Sequence, residues 1–312
     1  MNIISVKQLT KSYANNQVLK DVGFDVEKGT VFALLGSNGA GKTTIINILA
    51  TLLLPSSGTV TIAGYDIRKQ AKSIRELISL TGQFTAVDDL LSGEENMHMM
   101  GHLNRVDTKV IRARTAELLK QFDLDEVANK RVSAYSGGMR RKLDLAISLL
   151  ASPEIIFLDE PTTGLDPRSR QELWRVIREL VSGGTTILLT TQYLDEADYL
   201  ADKIAVLNDG KIVAEGTADE LKRRVGGECV EFTFENDLIC KKARSVLPGS
   251  NIDESDAAIL SVPITHQLAD VRTLLNTLAA GKIEPLAMSI RKPTLDDVFM
   301  QLTETRNQKE DK

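Results

Sequence analysis

The chain has 312 residues, of which 42% are hydrophobic and 26% are charged, and its formal net charge is -5. A chain of this length can bury a sizeable core and carry a smaller second domain, and its composition is typical of globular proteins. The negative charge argues against nucleic acid as a partner, because nucleic-acid-binding chains usually present a basic surface.

Neither the cysteines nor the apolar segments indicate secretion or membrane insertion. Cys229 and Cys240 fit neither a disulfide framework nor a metal-binding spacing, which predicts a reducing cytosolic environment. The first residues lack a basic region followed by a long apolar stretch, so no signal peptide is predicted. The longest apolar stretch, residues 45–54, is too short to span a bilayer. We therefore expect a chain that does not cross a membrane by itself.

Residues 3–64 are predicted to form mainly short strands, and they contain a glycine-rich motif. An apolar run over 31–35 leads into the pattern G-x-x-x-x-G-K-[ST], and an apolar-periodic segment over 45–53 follows. Strand, loop and helix in this order form a P-loop, whose backbone N–H groups and helix N-terminus bind phosphate. Lys42 would reach the β- and γ-phosphates, and the Thr43 hydroxyl would bind Mg²⁺. The predicted nucleotide-binding residues are Gly36, Ser37, Asn38, Gly39, Ala40, Gly41, Lys42, Thr43 and Thr44.

The middle of the chain changes from a helical pattern to alternating strands and helices. Residues 88–151 are predicted to be helical, since apolar residues recur three and four positions apart in segments such as 111–122. The elements predicted next are strand 155–158, helix 171–181, strand 186–190, helix 194–200 and strand 203–207. This alternation is typical of a parallel sheet covered by helices, and the continuous apolar runs predict central strands buried on both faces.

A second, smaller domain is predicted beyond a boundary near residues 223–228. The predicted elements there are strands at 229–234, 259–262 and 284–290 and helices at 238–247, 267–280 and 294–302. We expect a larger domain over 1–225, with a helical subdomain at about 88–151, and an α+β accessory domain over 226–305. The charged residues 306–312 are predicted to form a flexible, solvated tail.

The strand predicted at 155–158 ends in two carboxylates, Asp159 and Glu160. Asp159 is placed to bind the hydration shell of Mg²⁺, and Glu160 can accept a proton from a water that attacks the γ-phosphate. Two acidic residues after a strand could also form a solvated turn. The preceding P-loop and the following Pro-Thr-Thr-Gly-Leu-Asp favour the catalytic interpretation.

A second candidate anion site lies in residues 135–142, which read Tyr-Ser-Gly-Gly-Met-Arg-Arg-Lys and lead into an apolar-periodic helix. Ser136 is a favourable helix N-cap, and the amides of Gly137 and Gly138 together with the helix dipole can bind an anion. One chain rarely needs two phosphate cradles for one nucleotide. The pattern therefore indicates a site shared with another chain.

These motifs, in this order, resemble those of the ATP-binding subunits of ABC transporters. The resemblance covers about residues 3–217 and implies an α/β P-loop NTPase cassette, with a mixed or parallel sheet core, that hydrolyses Mg²⁺-ATP. It also implies a head-to-tail dimer, which we predict to be a homodimer, and pairing with a related cassette stays open as an alternative. In that dimer Ser136, Gly137 and Gly138 of one chain would cap the ATP on the other chain's P-loop, with Asp166 at the seam.

The same resemblance assigns three further regions. Gln83 matches the glutamine that contacts Mg²⁺ and the attacking water, and residues 84–96 match the region that contacts the membrane subunit. Tyr13 matches the aromatic residue that stacks on adenine. An aromatic residue on an early strand is equally often part of the core, so that alternative stays open.

The chain departs from the family pattern after the strand at 186–190. The family usually has a histidine there that contacts the γ-phosphate, whereas this chain has Gln192. Glutamine has a comparable reach and can donate an N–H, but it carries no positive charge near neutral pH. Two hypotheses follow, a weakened site or a site that depends on Glu160 and uses Gln192 as a sensor. The otherwise intact motifs favour the second.

Gln192 and the C-terminal sequence Pro293-Thr-Leu-Asp-Asp-Val-Phe299 are similar to the daunorubicin-resistance type of ATP-binding subunit. This similarity implies a separately encoded multi-spanning permease, the export of drugs or other amphiphiles, and a peripheral cytoplasmic location on the inner face of the cell membrane. The short C-terminal motif is equally explained as a capped helix start with apolar residues facing a core.

Two other functions compete with transport. A soluble ABC ATPase acting on ribosomes or DNA is disfavoured, because such proteins usually carry a second P-loop, a long coiled coil or zinc-binding cysteines, which this sequence lacks. Ligand sensing by the accessory domain is disfavoured, because residues 229–303 show no clustering of polar residues. The three histidines, His98, His102 and His266, are predicted to be surface residues rather than metal ligands.

Overall fold

The computed structural model describes residues 1–82, 87–225, 227–247, 249–252, 257–265 and 267–310. They fall into two units, Met1–Ala218 and Asp219–Lys312. The division comes at the start of helix Ala218–Val225. The sequence pattern placed the boundary after this helix, at the glycines that follow it, because glycine commonly ends a helix.

The strands of the first unit, as far as it is described, form two sheets. In chain order they are β1 (Asn2–Tyr13), β2 (Asn16–Glu27), β3 (Val31–Leu35), β4 (Ser57–Ile62), β5 (Tyr65–Asp66), β6 (Ile78–Thr81), β7 (Ile155–Asp159), β8 (Thr186–Thr191), β9 (Lys203–Asn208) and β10 (Lys211–Gly216). An antiparallel sheet has the order β2-β1-β4-β5, and a larger sheet has the order β10-β9-β3-β8-β7-β6. In the larger sheet only β9 and β10 are antiparallel neighbours. The predicted mixed α/β core is confirmed.

Helices cover the larger sheet and build the predicted helical region. The helices of this unit are α1 (Lys42–Leu49), α2 (Ala71–Arg75), α3 (Gly93–Leu103), α4 (Thr108–Gln121), α5 (Gly137–Ser148), α6 (Pro167–Ser182) and α7 (Leu194–Leu200). Helices α3, α4 and α5 contact one another. Helix α3 begins with a capping box, in which the Ser92 hydroxyl accepts from the Glu95 amide and the Glu95 carboxylate accepts from the Ser92 amide.

The central strands hold the core of the first unit. Every residue of β3, β7 and β8 is buried, because the layers on both sides exclude water from these apolar runs. Helix α1 adds the buried side chains of Ile45, Ile46 and Leu49 to the same core. The candidate site lies at the carboxyl ends of these three strands, and the burial of both strand faces holds those ends in place.

The second unit has the order of a split β-α-β arrangement. Its elements are α8 (Ala218–Val225), β11 (Cys229–Thr233), α9 (Asp237–Val246), β12 (Asn251–Ile252), β13 (Ile259–Pro263), α10 (Gln267–Ala280), β14 (Ala287–Arg291) and α11 (Leu295–Glu310). The sheet is antiparallel, with the order β12-β13-β11-β14. Strand β12 was not predicted, because two residues are too few for a periodic signal. Thr294 begins α11, since its hydroxyl accepts from the Asp297 amide.

Neither a membrane-spanning helix nor a metal-binding cluster is found within the described ranges. No helix there is long and apolar enough to cross a membrane. No group of three or more His, Cys, Asp or Glu side chains in those ranges could hold a metal ion. His98 and His102 both lie on α3, and His266 lies outside the described residues.

Candidate nucleotide-binding site

The P-loop connects the end of β3 to the start of α1. Gly39 and Gly41 have φ angles of 82° and 108°, in the left-handed region that glycine adopts without strain. Gly36 must lack a side chain for a different reason, since a Cβ there would lie 2.4 Å from the Leu207 carbonyl oxygen. These glycines allow the tight backbone path that a phosphate cradle requires.

The register of the parallel strands brings three motifs to one edge of the sheet. Leu35 of β3 pairs with Thr191 of β8, and Asp159 of β7 pairs with Thr190. The residues that follow these strand ends are Gly36, Glu160 and Gln192. The Gly36 amide also donates to the Thr191 carbonyl oxygen at 3.2 Å. Ligands of open α/β sheets bind at this carboxyl edge, so the site lies where the fold class predicts it.

A cavity of about 570 Å³ lies at this edge. It is lined by Val18, Asn38, Gly39, Gly41, Lys42, Thr43, Thr44, Glu160, Thr163 and Gln192. The structure therefore brings together the P-loop, one of the two carboxylates and the glutamine that replaces the family's histidine. The volume of this cavity is typical of a small-molecule binding site.

Lys42 is buried at the first position of α1. Its Nζ donates to the carbonyl oxygens of Gly36 at 2.8 Å and Ser37 at 3.1 Å. The same Nζ lies 3.2 Å from Oε1 of Glu160. Buried charges are retained in proteins when they are paired and hydrogen-bonded, and Lys42 satisfies both conditions.

Asp159 is the last residue of β7 and Glu160 follows it, and the two carboxylates lie in different environments. Asp159 is 4% exposed, does not line the cavity, and accepts a hydrogen bond from the Thr190 hydroxyl at 2.5 Å. Glu160 has a φ of 49°, unusual for a residue other than glycine, and its amide donates to the Thr190 carbonyl oxygen at 3.1 Å. The Thr163 hydroxyl donates to Oε2 of Glu160 at 3.2 Å. These contacts turn the Glu160 carboxylate into the cavity.

The segment after β8 is held by its neighbours on α6. The Arg170 guanidinium lies 4.6 Å from the centre of the Tyr193 ring and 3.1 Å from the Asp195 carboxylate. The Thr191 hydroxyl accepts from the Tyr193 amide at 2.9 Å. Gln192 therefore sits on the cavity wall between two anchored residues.

Tyr13 lies outside the cavity wall. It ends β1, is 47% exposed, and has the Lys11 ammonium 5.1 Å from its ring centre. It is thus a surface residue rather than a core residue, with a ring accessible to a purine base. Stacking on adenine stays a prediction.

The second predicted cradle begins α5 and is separate from the cavity. Ser136 caps this helix by accepting from the Met139 amide at 3.2 Å, and Ser136 and Gly137 are exposed. Gly138 packs against α6, since a Cβ there would lie 2.5 Å from the Ser169 hydroxyl oxygen. Among the described residues, the lining of the cavity includes none of these three.

Asp166 caps α6 through Oδ1, and its Oδ2 accepts a further hydrogen bond from a side chain. Oδ1 accepts from the Arg168 and Ser169 amides at 3.1 and 3.0 Å, and Oδ2 accepts from the Ser169 hydroxyl at 2.6 Å. These hydrogen bonds, the one from the Ser169 hydroxyl above all, lower the pKa of Asp166. Gln83, the remaining predicted site residue, lies outside the described residues, as do residues 84–86 of the predicted membrane-subunit contact.

Comparison with known proteins identifies the family. The ABC transporter family matches residues 19–163, which include the P-loop, the second cradle and both carboxylates. A daunorubicin resistance ATP-binding protein of Streptomyces coeruleorubidus is 44% identical to this chain, over 96% of the chain and 95% of that protein. The chain belongs to the ATP-binding subunits of ABC transporters.

Two further similarities support this assignment. A doxorubicin resistance ATP-binding protein of Mycobacterium tuberculosis is also 44% identical, over 96% of this subunit and 93% of that protein. A dimeric post-hydrolysis structure of an ATP-binding cassette bound to ADP and Pi has a TM-score of 0.62 and 26% identity, and covers 69% of this subunit and 98% of that chain. The predicted family, fold class and ATPase activity are confirmed.

Sequence reasoning missed several buried charged residues of this ABC subunit, among them Arg141 and Glu196. Arg141 on α5 is 6% exposed and contacts the strand ends beside Glu160. Glu196 on α7 is fully buried and accepts from Trp174 Nε1 at 3.0 Å. Burial raises the pKa of Glu196. Both residues lie in apolar-periodic helices, and a charge on the apolar face was the signal that could have revealed them.

Proposed function

We propose that this ABC subunit is the motor of an exporter. Two copies would bind two Mg²⁺-ATP molecules head to tail and drive a separate membrane permease. The observation that carries the proposal is the separation of the two anion sites within one chain. The P-loop, Glu160 and Gln192 line one cavity, whereas Ser136 and Gly137 are exposed elsewhere at the start of α5. A second copy would supply the missing cradle, and the similar dimeric cassette with ADP and Pi supports this arrangement.

Glu160 is proposed as the general base for ATP hydrolysis. Its carboxylate lines the cavity and is paired with Lys42 in the structure. Phosphate oxygens would give the Lys42 ammonium a stronger partner than this carboxylate. Glu160 would then be released to accept a proton from the attacking water.

Thr43 and Asp159 are proposed to hold Mg²⁺, with Gln83 as a further ligand. Mg²⁺ prefers oxygen ligands and keeps several waters, and these residues provide a hydroxyl, a carboxylate and an amide oxygen. Thr43 lines the cavity, whereas Asp159 lies at the same sheet edge without lining the cavity and accepts from the Thr190 hydroxyl. This placement suits contact through a water, and the ion would neutralise charge on the phosphates.

A groove lined by both apolar and polar residues is proposed to receive the permease. The groove has a volume of about 360 Å³, and its lining includes Leu52, Leu80, Met100 and Ile147. Leu52 is 66% exposed, and the groove reaches β6, the strand that leads into the predicted contact region. Exposed apolar surface of this kind is typical of a protein interface.

Drugs or other amphiphiles are the proposed cargo, because the relatives are resistance proteins for daunorubicin and doxorubicin. Attachment would be peripheral, on the cytoplasmic face of the membrane.

Purification from the native cell tests the transport proposal. The tagged subunit would be extracted from gently solubilised membranes, and its partners identified by mass spectrometry. We expect a multi-spanning membrane protein in stoichiometric amount. Leu52→Asp should reduce its recovery at least tenfold, while Leu238→Asp, at an exposed leucine of the second unit, should not. Ribosomal or DNA-repair proteins without a membrane protein would contradict the proposal and favour a soluble ABC ATPase.

A further inference from the structure

Arg141 joins three chain segments through a single buried guanidinium. Its Nε donates to the Pro161 carbonyl oxygen at 2.8 Å, and its NH2 donates to the Asp159 carbonyl oxygen at 3.3 Å. Its NH1 donates to the Gly82 carbonyl oxygen at 2.7 Å and lies 3.4 Å from the Asp144 carboxylate. Arg141 itself lies on α5, two turns or less from the Ser136 cap.

These carbonyl groups lie next to residues that are proposed to act in ATP hydrolysis. Asp159 and Pro161 are the residues on either side of Glu160, so one guanidinium contacts the backbone before and after the proposed base. Gly82 directly precedes Gln83. The helix that carries the second cradle is therefore tied to the base and to the start of the Gln83 segment.

Stability alone is a poor explanation for this arrangement. Burying a guanidinium removes it from water, and a well-packed apolar side chain of similar size often stabilises a core equally well. The planar guanidinium has five N–H donors in a fixed geometry, which lets it reach several carbonyl oxygens at once. An ammonium group has no such fork. This geometry suits a side chain that fixes the distances between the three chain segments that it contacts.

We propose that Arg141 is a positioning residue for ATP hydrolysis, which holds the backbone around Glu160 and Gly82 at a fixed spacing from α5. The proposal rests on the proposed role of Glu160 as the base. Arg141 does not line the cavity and would act only through the segments that it holds.

The test compares Arg141→Met with Asp144→Asn in the full chain. Arg141→Met removes the three hydrogen bonds to carbonyl oxygens. Asp144→Asn removes the buried carboxylate beside Arg141 and leaves Arg141 able to make those three hydrogen bonds. Nucleotide bound per chain and Kd for ATP are measured by titration, and phosphate release is expressed per bound nucleotide. We expect Arg141→Met to bind ATP with Kd within about threefold of wild type and to lose about 10- to 100-fold in kcat, as small displacements of catalytic groups do. Asp144→Asn should keep kcat within about threefold.

Arg141→Lys keeps a positive charge without the planar fork and serves as the second variant if Arg141→Met folds poorly. We expect it to bind one nucleotide per chain with a kcat at least about threefold below wild type, because one ammonium cannot span all three carbonyl groups. The proposal is overturned if either variant keeps the wild-type rate per bound nucleotide. A variant whose total activity falls only in proportion to its bound nucleotide has lost folded protein, which also overturns the proposal. Full turnover in Glu160→Gln would instead reject the assigned base and leave these rates unaffected.

Discussion

Lys42 Nζ lies 3.2 Å from Glu160 Oε1, and the two side chains are only 4% and 11% exposed. The lysine of the P-loop therefore holds the carboxylate that we propose as the general base. While this contact persists, the Lys42 ammonium occupies the carboxylate oxygen that would otherwise face the attacking water. Nucleotide binding would exchange this contact for phosphate contacts, which links ATP binding to the release of the base.

Glu160→Gln tests the base directly. The amide cannot accept the proton, so phosphate release should fall by roughly 10²- to 10⁴-fold, while ATP binding is retained. Because hydrolysis would no longer reopen the dimer, sedimentation with Mg²⁺-ATP should show a dimer. Glu154→Gln, which removes a carboxylate paired with Lys28 on the surface, is the matched control and should keep its rate. Robust turnover by Glu160→Gln would reject Glu160 as the base.

The Lys42–Glu160 pair should couple energetically in the nucleotide-free protein. Lys42→Met leaves the Glu160 carboxylate partly buried without its cation, so it should lower the free energy of unfolding. We expect this loss to be smaller by about 1–3 kcal/mol in the Glu160→Gln background, where no charge is left unpaired. Urea titrations followed by the fluorescence of Trp174, the single tryptophan, would measure both effects. Additive effects would show that the pair does not form in solution.

Gln192→His restores the residue type that the family usually has at this position. If Gln192 contacts phosphate as a neutral sensor, the variant should stay active and gain a titration near pH 6–7, with the protonated imidazole present on the acid side. The pH profile of kcat would be compared between the variant and wild type over pH 5.5–8.5. Superimposable profiles would mean that position 192 does not contact phosphate during turnover.

Glu196 should make stability depend on pH. Burial raises its pKa, so the folded state holds the proton more tightly than the unfolded state. The stability that this proton provides is present below the unfolded pKa, near 4.3, and is lost as the pH rises through the raised folded value. Glu196→Gln cannot ionise. Its free energy of unfolding should therefore improve relative to wild type as the pH rises, by up to about 1.4 kcal/mol per pH unit.

Urea titrations at pH 5, 6, 7 and 8 would measure this difference. Glu126→Gln, at an exposed position, is the control and should follow the wild-type curve. A constant difference between Glu196→Gln and wild type across the range would show that Glu196 does not change its ionisation there.

The two glycines of the second cradle should differ in their tolerance of alanine. At Gly138 a Cβ would lie 2.5 Å from the Ser169 hydroxyl oxygen and 2.8 Å from its Cβ, so α5 and α6 would have to move apart. We expect Gly138→Ala to lower the free energy of unfolding by about 1–3 kcal/mol. At Gly137 the nearest atom, on Leu165, is 3.8 Å away, so Gly137→Ala should be tolerated. Equal stability of the two variants would contradict the close packing.

The nucleotide motifs were readable because their chemistry is local. A P-loop needs glycines, a lysine and a hydroxyl at fixed spacing between a strand and a helix, and all of these are adjacent along the chain. The buried strands were readable for a similar reason, since 155–158 and 187–189 are continuously apolar. The C-terminal strand predicted at 284–290 is observed as β14, at Ala287–Arg291. Periodicity identifies an element better than it locates the ends of that element.

The contacts across the sheet were not readable. Gly36, Glu160 and Gln192 follow the ends of neighbouring strands. Their proximity depends on which strands pair and in which register. The sequence alone does not set that register, because several orders of parallel strands would bury the same apolar runs. The same limit hid Arg141, whose carbonyl partners lie 18 to 59 positions away along the chain.

By itself, the sequence determined the family and the fold class, and it predicted the residues that would bind phosphate, because each depends on residue types at short spacing. The tertiary structure decided which of those residues share a cavity, that Lys42 pairs with Glu160, and that Ser136 and Gly137 lie outside the cavity. It also decided that Arg141 and Glu196 are buried. These facts depend on how distant segments pack, and packing is a property of the whole core rather than of any single segment.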